Sequence, residues 1–174
     1  MFSTIINLNR PKHMKDESYI SIKLPSLEEL IKREPCVCLN IRMENDSAPP
    51  FSQKAIDCAK GYAGEKGVYV HLWKKRAGVF VVRYVGQTSK SFRKRLNWEL
   101  SLQHKACSKE FIEGMKRHVN QKDIYTVFFS DEDIVKMITA SKKIEKQKDS
   151  LRLLFEQAMV IAYKSKDLLN VHKG

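Results

Sequence analysis

Two runs of β-branched and aromatic residues, GVYVHLW (67–73) and GVFVVRYVG (78–86), flank the basic turn KKRAG, and they restrict the fold more than any other segment. Runs of this kind, separated by a short glycine-containing turn, fold back on each other as a β-hairpin. The hairpin needs cover, and the rest of the chain supplies it. DIYTVFFS (123–130) reads as a third strand. Ser89 or Ser91 can cap a helix through FRKRLNWELSL (92–102), and further helices are expected over 108–119, 131–139 and roughly 149–164. The order β-β-α-α-β-α-α predicts an α+β fold, a small sheet with helices packed against it.

Some sixty residues precede the hairpin. Ser26 caps the short helix LEELIKRE, with Glu28 and Glu29 in its first turn and Lys32 and Arg33 in its last, where each charge suits the helix dipole. CVCLNIRM (36–43) alternates as a strand does, ENDSAPPF (44–51) is broken by Pro49-Pro50, and Ser52 caps a second short helix, QKAIDCAK, stopped by Gly61 and Gly64. A chain of 174 residues fits one domain or at most two very small ones. We read 1–62 as an N-terminal extension packing on a core at 63–174. The four cysteines, Cys36, Cys38, Cys58 and Cys107, lack the spacing of a zinc hairpin and are too few for a disulfide scaffold. Cys36 and Cys38, which share one face of a strand, are expected as buried thiols in a reducing, intracellular compartment. The start of the chain lacks the basic-then-apolar pattern of a secretion signal, and the longest apolar run is interrupted by Glu156, so no membrane span is expected.

Charge is unevenly spread. The formal net charge is +12, and residues 63–118 hold 13 Lys/Arg against 4 Asp/Glu. Between His71 and Arg95 there are eight Lys/Arg and no acid. A basic excess concentrated on one hairpin and the helix after it suits a polyanion laid along that surface.

Three sets of residues carry candidate chemistry. Tyr69 in Gly67-Val68-Tyr69 and Tyr84 in Tyr84-Val85-Gly86 sit on the two hairpin strands, where their hydroxyls can meet at one face or be ordinary sheet residues. Arg93, Lys94 and Arg95 open the following helix at its positive end, where bases gain nothing from the dipole; an anion opposite them, or simple solvation, accounts for that placement. Glu156 is the lone charge in LLFEQAMVIAY (153–163), a helix apolar around nearly its whole circumference. A carboxylate there needs a salt-bridge partner or a metal ion, and both readings stay open.

Taken in this order, the pieces resemble the GIY-YIG nuclease superfamily, most of all its small freestanding restriction endonucleases. The paired motif stands as GVY (67–69) and YVG (84–86), the helix arginine as Arg95 in YVGQTSKSFRKRL, the metal-binding glutamate as Glu156 and a later asparagine as Asn170 in DLLN. The resemblance spans about 67–170. It implies a three-stranded antiparallel sheet between helices and hydrolysis of DNA phosphodiester bonds with Mg2+ or Mn2+, one ion per site, held by Glu156. It also implies catalytic roles for Tyr69, Tyr84, Arg95, Glu156 and Asn170. Tyr69 is the first choice for activating water and Tyr84 for positioning, though the two can exchange, and Asn170 is either a clamp on the site or a turn residue.

Two departures from the family pattern stand out. The hairpin is longer than usual, with KKR at its tip. One helical turn after Arg95, where the family often has His or Tyr, this chain has Glu99, so His104 or another group serves there or catalysis is altered. Lys74, Lys75, Arg76, Arg83, Lys90, Arg93 and Lys94 are expected on flanking phosphates of double-stranded DNA, and His71 shares the strand face of Tyr69 under strict alternation. With the chain stopping soon after Asn170, no appended DNA-binding domain is expected, and double-strand cutting would call for a homodimer. The alternatives are a repair or mobile-element nuclease, or an inactive DNA-binding module on the same scaffold.

Overall fold

The computed structural model describes residues 5–8, 20–33, 36–39, 65–75, 78–92, 94–95, 124–139, 147–164 and 168. The expected helices at 53–60 and 108–119, the loop 44–51, Cys58, Cys107, Arg76, Arg93, Glu99, His104 and Asn170 lie outside them.

Seven strands and three helices follow one another among the described residues: β1 (Ile5–Leu8), β2 (Ile20–Lys23), α1 (Leu27–Lys32), β3 (Cys36–Leu39), β4 (Gly67–Lys74), β5 (Phe80–Thr88), β6 (Ile124–Ser130), α2 (Asp131–Met137), β7 (Ile138–Thr139) and α3 (Lys148–Ala162). Helices and strands mix as an α+β chain should. The expected hairpin is β4–β5, and β6 pairs antiparallel with the other side of β4. The sheet does not stop at three strands. β3, from the N-terminal segment, adds antiparallel to β6, giving the order β3-β6-β4-β5. A second antiparallel sheet, β1-β2-β7, ties two N-terminal strands to residues just after α2. Ile138 and Thr139, expected to end a helix, are therefore strand. Both isoleucines of the Ile22–Ile138 pair are buried, and that contact is long-range, beyond what local periodicity can signal.

Both helix starts follow from their sequences. Ser26 and Glu29 form a capping box on α1, as Ser130 and Asp133 do on α2, each satisfying backbone N–H groups that the first turn leaves without partners. α3 is held by packing: Leu151, Phe155, Ala158, Met159 and Val160 are buried against the sheet and α2.

The four-stranded sheet has two unlike faces. Val68, Val70, Leu72, Val82, Val85, Val127 and Phe129 point into the main apolar core with Ile134 of α2 and Phe155 and Met159 of α3. Period-two alternation then sends Tyr69, His71, Trp73, Tyr84, Thr126 and Phe128 to the other face. A register irregularity between His71 and Leu72 takes up one extra residue, Arg83, on β5, so that Val82 and Val85, three positions apart, both face the core.

On the helical side Arg152 is fully paired. Arg152, 2% exposed, places Nε and Nη2 on the two Asp131 oxygens at 2.9 and 2.7 Å and Nη1 on Asp149 at 2.9 Å. This fork bolts α3 to the start of α2. Arg33 bonds the Phe128 carbonyl through Nε at 3.1 Å, pairs Asp133 at 2.6 Å and lies over the Phe129 ring. β3 begins at Cys36 opposite Val127, and the residue before it, Pro35, has no N–H to offer the next carbonyl of β6, which Arg33 serves instead.

Candidate active site

The register of three strands builds the candidate site in two adjacent rows. Phe128, Tyr69 and Gly86 form one row, and Thr126, His71 and Tyr84 form the next. The glycines of both tripeptides have physical reasons to be there. A Cβ on Gly86 would strike the Tyr69 phenol and stand 2.7 Å from the Tyr84 ring, so the bare backbone at 86 is the floor on which Tyr69 lies. A Cβ on Gly67 would run into the Phe129 carbonyl, which the strand cannot withdraw.

The chain then turns back over this face. Thr88 closes the exit of β5, its hydroxyl donating to the Lys90 carbonyl and accepting from the Lys90 N–H, both at 3.1 Å. Ser91 caps the next helical turn by accepting from the Lys94 N–H at 3.3 Å, which decides between the two serines considered as caps. Phe92, fully buried, donates its N–H to the Glu65 carbonyl and packs on Phe128 at 4.7 Å and edge-on to Tyr69 at 6.5 Å. With Phe92 anchored, the residue three positions on falls on the same helix face. That residue is Arg95, whose Nε donates to the Tyr69 hydroxyl at 3.0 Å. Tyr69 itself is fully buried, whereas Tyr84 is half-buried.

Glu156 approaches from α3. Burial raises its carboxyl from the usual 4.5 to about 7, against the opposing pull of the Arg95 charge and a hydrogen bond from Gln87. Its neighbour one turn back, Arg152, would normally pair with it at i, i+4, but Arg152 is committed to Asp131 and Asp149. Arg95 is thus shared between a phenol of β4 and a carboxylate of α3. Arg95 lies seven residues beyond the end of β5, the edge strand, bonded to the phenol and acting on the carboxylate through its charge.

The remaining expected residues divide. Lys74, Lys75, Lys90 and Lys94 are exposed. Arg83 is 8% exposed and its guanidinium lies 4.2 Å from the centre of the Trp73 ring, so it is part of the packing of this face rather than an outward cation. His71 is fully buried, with Nδ1 2.8 Å from the Thr126 hydroxyl. Gln87 and Thr126 were not singled out from sequence. Gln87 follows the YVG tripeptide directly, and Thr126 is the polar position in the otherwise apolar run YTVFF, which is the signal that would have found it.

Set against known protein families, curated proteins and solved structures, the chain matches none. No helix among the described residues is long and apolar enough to cross a membrane.

Proposed function

We propose that this chain is a metal-dependent DNA endonuclease of the GIY-YIG type, acting on double-stranded DNA as a type II restriction endonuclease. One observation carries the reading: Arg95 is bonded to the Tyr69 hydroxyl and acts electrostatically on the half-buried Glu156. A phenol, a guanidinium and a desolvated carboxylate in one cluster can grip an anion, hold a cation and move a proton, which together are the requirements of phosphodiester hydrolysis.

The residues fit a bound Mg2+ or Mn2+ ion. Among the described residues no group of three or more His, Cys, Asp or Glu side chains could cage a metal. Glu156 would be its protein carboxylate, with water and phosphate oxygens completing the shell, a ligand set that suits Mg2+. A carboxyl that burial has pushed up to about 7 also gains from a cation beside it, because the ion favours its charged form. When bound, the ion supplies Lewis acidity at the leaving oxygen.

The chain's own groups would do the rest. Arg95 would hold a non-bridging phosphate oxygen through its guanidinium fork while Nε stays on Tyr69. Tyr69, buried under that contact, fixes the arginine. Tyr84, half-buried in the neighbouring row, is the hydroxyl within reach of water, so it would orient the nucleophile and, as the phenolate once its own proton has passed to solvent, take the nucleophile's proton. Lys74, Lys75, Lys90 and Lys94 would lie along flanking phosphates, each contact steepening the salt dependence of binding.

The test is cleavage of plasmid and of a mixed duplex library with Mg2+. Cutting should stop with a chelator and fall about a hundredfold or more in Arg95→Ala and Glu156→Ala, with salt-dependent DNA binding retained. Discrete, symmetric cuts by a homodimer are the expected pattern. Cuts confined to branches or lesions would make it a repair or mobile-element nuclease. Binding with no metal-dependent cutting would leave only a DNA-binding module.

A further inference from the structure

Several buried polar groups take no part in the proposed chemistry, and one of them stands among the rings of the site. His71 is fully buried in the middle of β4, on the face that carries both tyrosines. Its ring centre is 5.3 Å from that of Tyr69 at a 56° tilt, and 5.9 Å from that of Tyr84 at 23°, close to parallel. Tyr69 and Tyr84 are themselves 6.1 Å apart. The imidazole therefore forms the third ring of a triangle with the two phenols.

What fixes that ring comes from a third strand. Thr126 of β6 lies directly opposite His71, and its hydroxyl is 2.8 Å from Nδ1, while Tyr84 of β5 lies directly opposite on the other side. Threonine has a stiff χ1, and a buried hydroxyl held to a ring nitrogen sets the rotation of the imidazole, which packing alone would leave two-fold degenerate. An apolar residue at 71 would fill the same space without that constraint. Leucine, valine or phenylalanine would satisfy the packing of a central strand, and a buried histidine with a matched hydroxyl partner costs desolvation that they do not.

We propose that His71 is a positioning residue. Held by Thr126, its ring sets where the Tyr69 and Tyr84 phenols lie, and so acts on the phosphate-binding arginine through Tyr69 and on the attacking water through Tyr84. The inference deepens the nuclease reading and rests on it for its kinetic consequence, but the ring geometry is testable without DNA.

Three variants, Thr126→Val, Thr126→Ser and His71→Phe, are compared with the wild type on duplex DNA and Mg2+, with melting curves and aromatic NMR of the DNA-free protein. Thr126→Val and His71→Phe should keep a cooperative fold and KM within about twofold. They should lower kcat about tenfold to a hundredfold, the cost of misplacing a reacting group by about an ångström. In both, the ring signals of Tyr69 and Tyr84, assigned from Tyr→Phe variants, should shift. Thr126→Ser, which keeps the hydroxyl, should restore both rate and signals. Unchanged kcat and unchanged tyrosine signals in Thr126→Val would overturn the proposal. So would a loss of rate that Thr126→Ser fails to restore, because that would mark plain packing. If the wild type itself does not cut DNA, the nuclease reading fails, and the tyrosine signals of the three variants still decide whether Thr126 and His71 set the rings.

Discussion

Two half-buried carboxylates, one on α2 and one on α3, meet opposite fates. Asp133, at the start of α2, is pushed up by burial, yet the Ser130 backbone N–H and the Arg33 guanidinium together hold it below its usual 3.8. Glu156, two helical turns into α3, has Arg95 and Gln87 nearby and still rises to about 7. The contrast separates frame from site. Around α2 each buried charge has dedicated, short partners, as the Asp131–Arg152 fork also illustrates. At Glu156 the partner is shared with Tyr69, and the compensation is incomplete. A structural charge is finished when the chain folds. Glu156 retains a deficit of positive charge that a bound cation would make good.

The sharpest way to break the comparison is to remove a partner on the frame side. Arg152→Ala would strand Asp131 in a buried setting and should cost about 3–5 kcal/mol of folding free energy, read from urea melts. A cost below about 1 kcal/mol would mean that the frame charges are no better compensated than Glu156.

Gly86→Ala comes next. Its methyl group would displace the Tyr69 and Tyr84 rings, at an expected cost of about 1–3 kcal/mol in thermal unfolding. Because the Tyr69–Arg95 bond moves with the ring, cleavage should fall further than stability does.

Glu156→Gln gives the smallest stability change and the most informative sign. With chelator present, the folded protein keeps a proton on Glu156 up to about 7, while the unfolded chain releases it near 4.5. Wild-type stability from this group is therefore lost as pH rises from about 4.5 to 7. The glutamine variant, neutral throughout, should match the wild type below pH 4.5 and exceed it above pH 7. Discounted for the partial exposure of Glu156, the gain is about 1–2 kcal/mol. Adding Mg2+ at pH 8 should raise the wild-type melting temperature and leave the variant unmoved. Asp133 gives the opposite slope, its contribution lost as pH falls through the carboxylate range.

Much of this was legible in the chain. The hairpin, the third strand, the Ser26 cap and the long apolar helix all follow from periodicity and capping chemistry, which act over a few residues. Glu156 stood out because a lone carboxylate in an apolar helix violates local expectation. The addition of β3 to the sheet, the β2–β7 pairing and the burial of Arg83 on Trp73 did not, because each depends on partners far away in sequence.

By itself, then, the sequence determined the β4–β5 hairpin, β6, α1 and α3 as segments, and which residue types stand on them. The tertiary structure alone decided the neighbours. Strand register set Gly86 beneath Tyr69 and Thr126 beside His71, and a cap at Ser91 with an anchor at Phe92 aimed Arg95 at the phenol. Backbone preference is local, but the desolvation that raises Glu156 and the sharing of Arg95 arise only when distant segments exclude water from the same place.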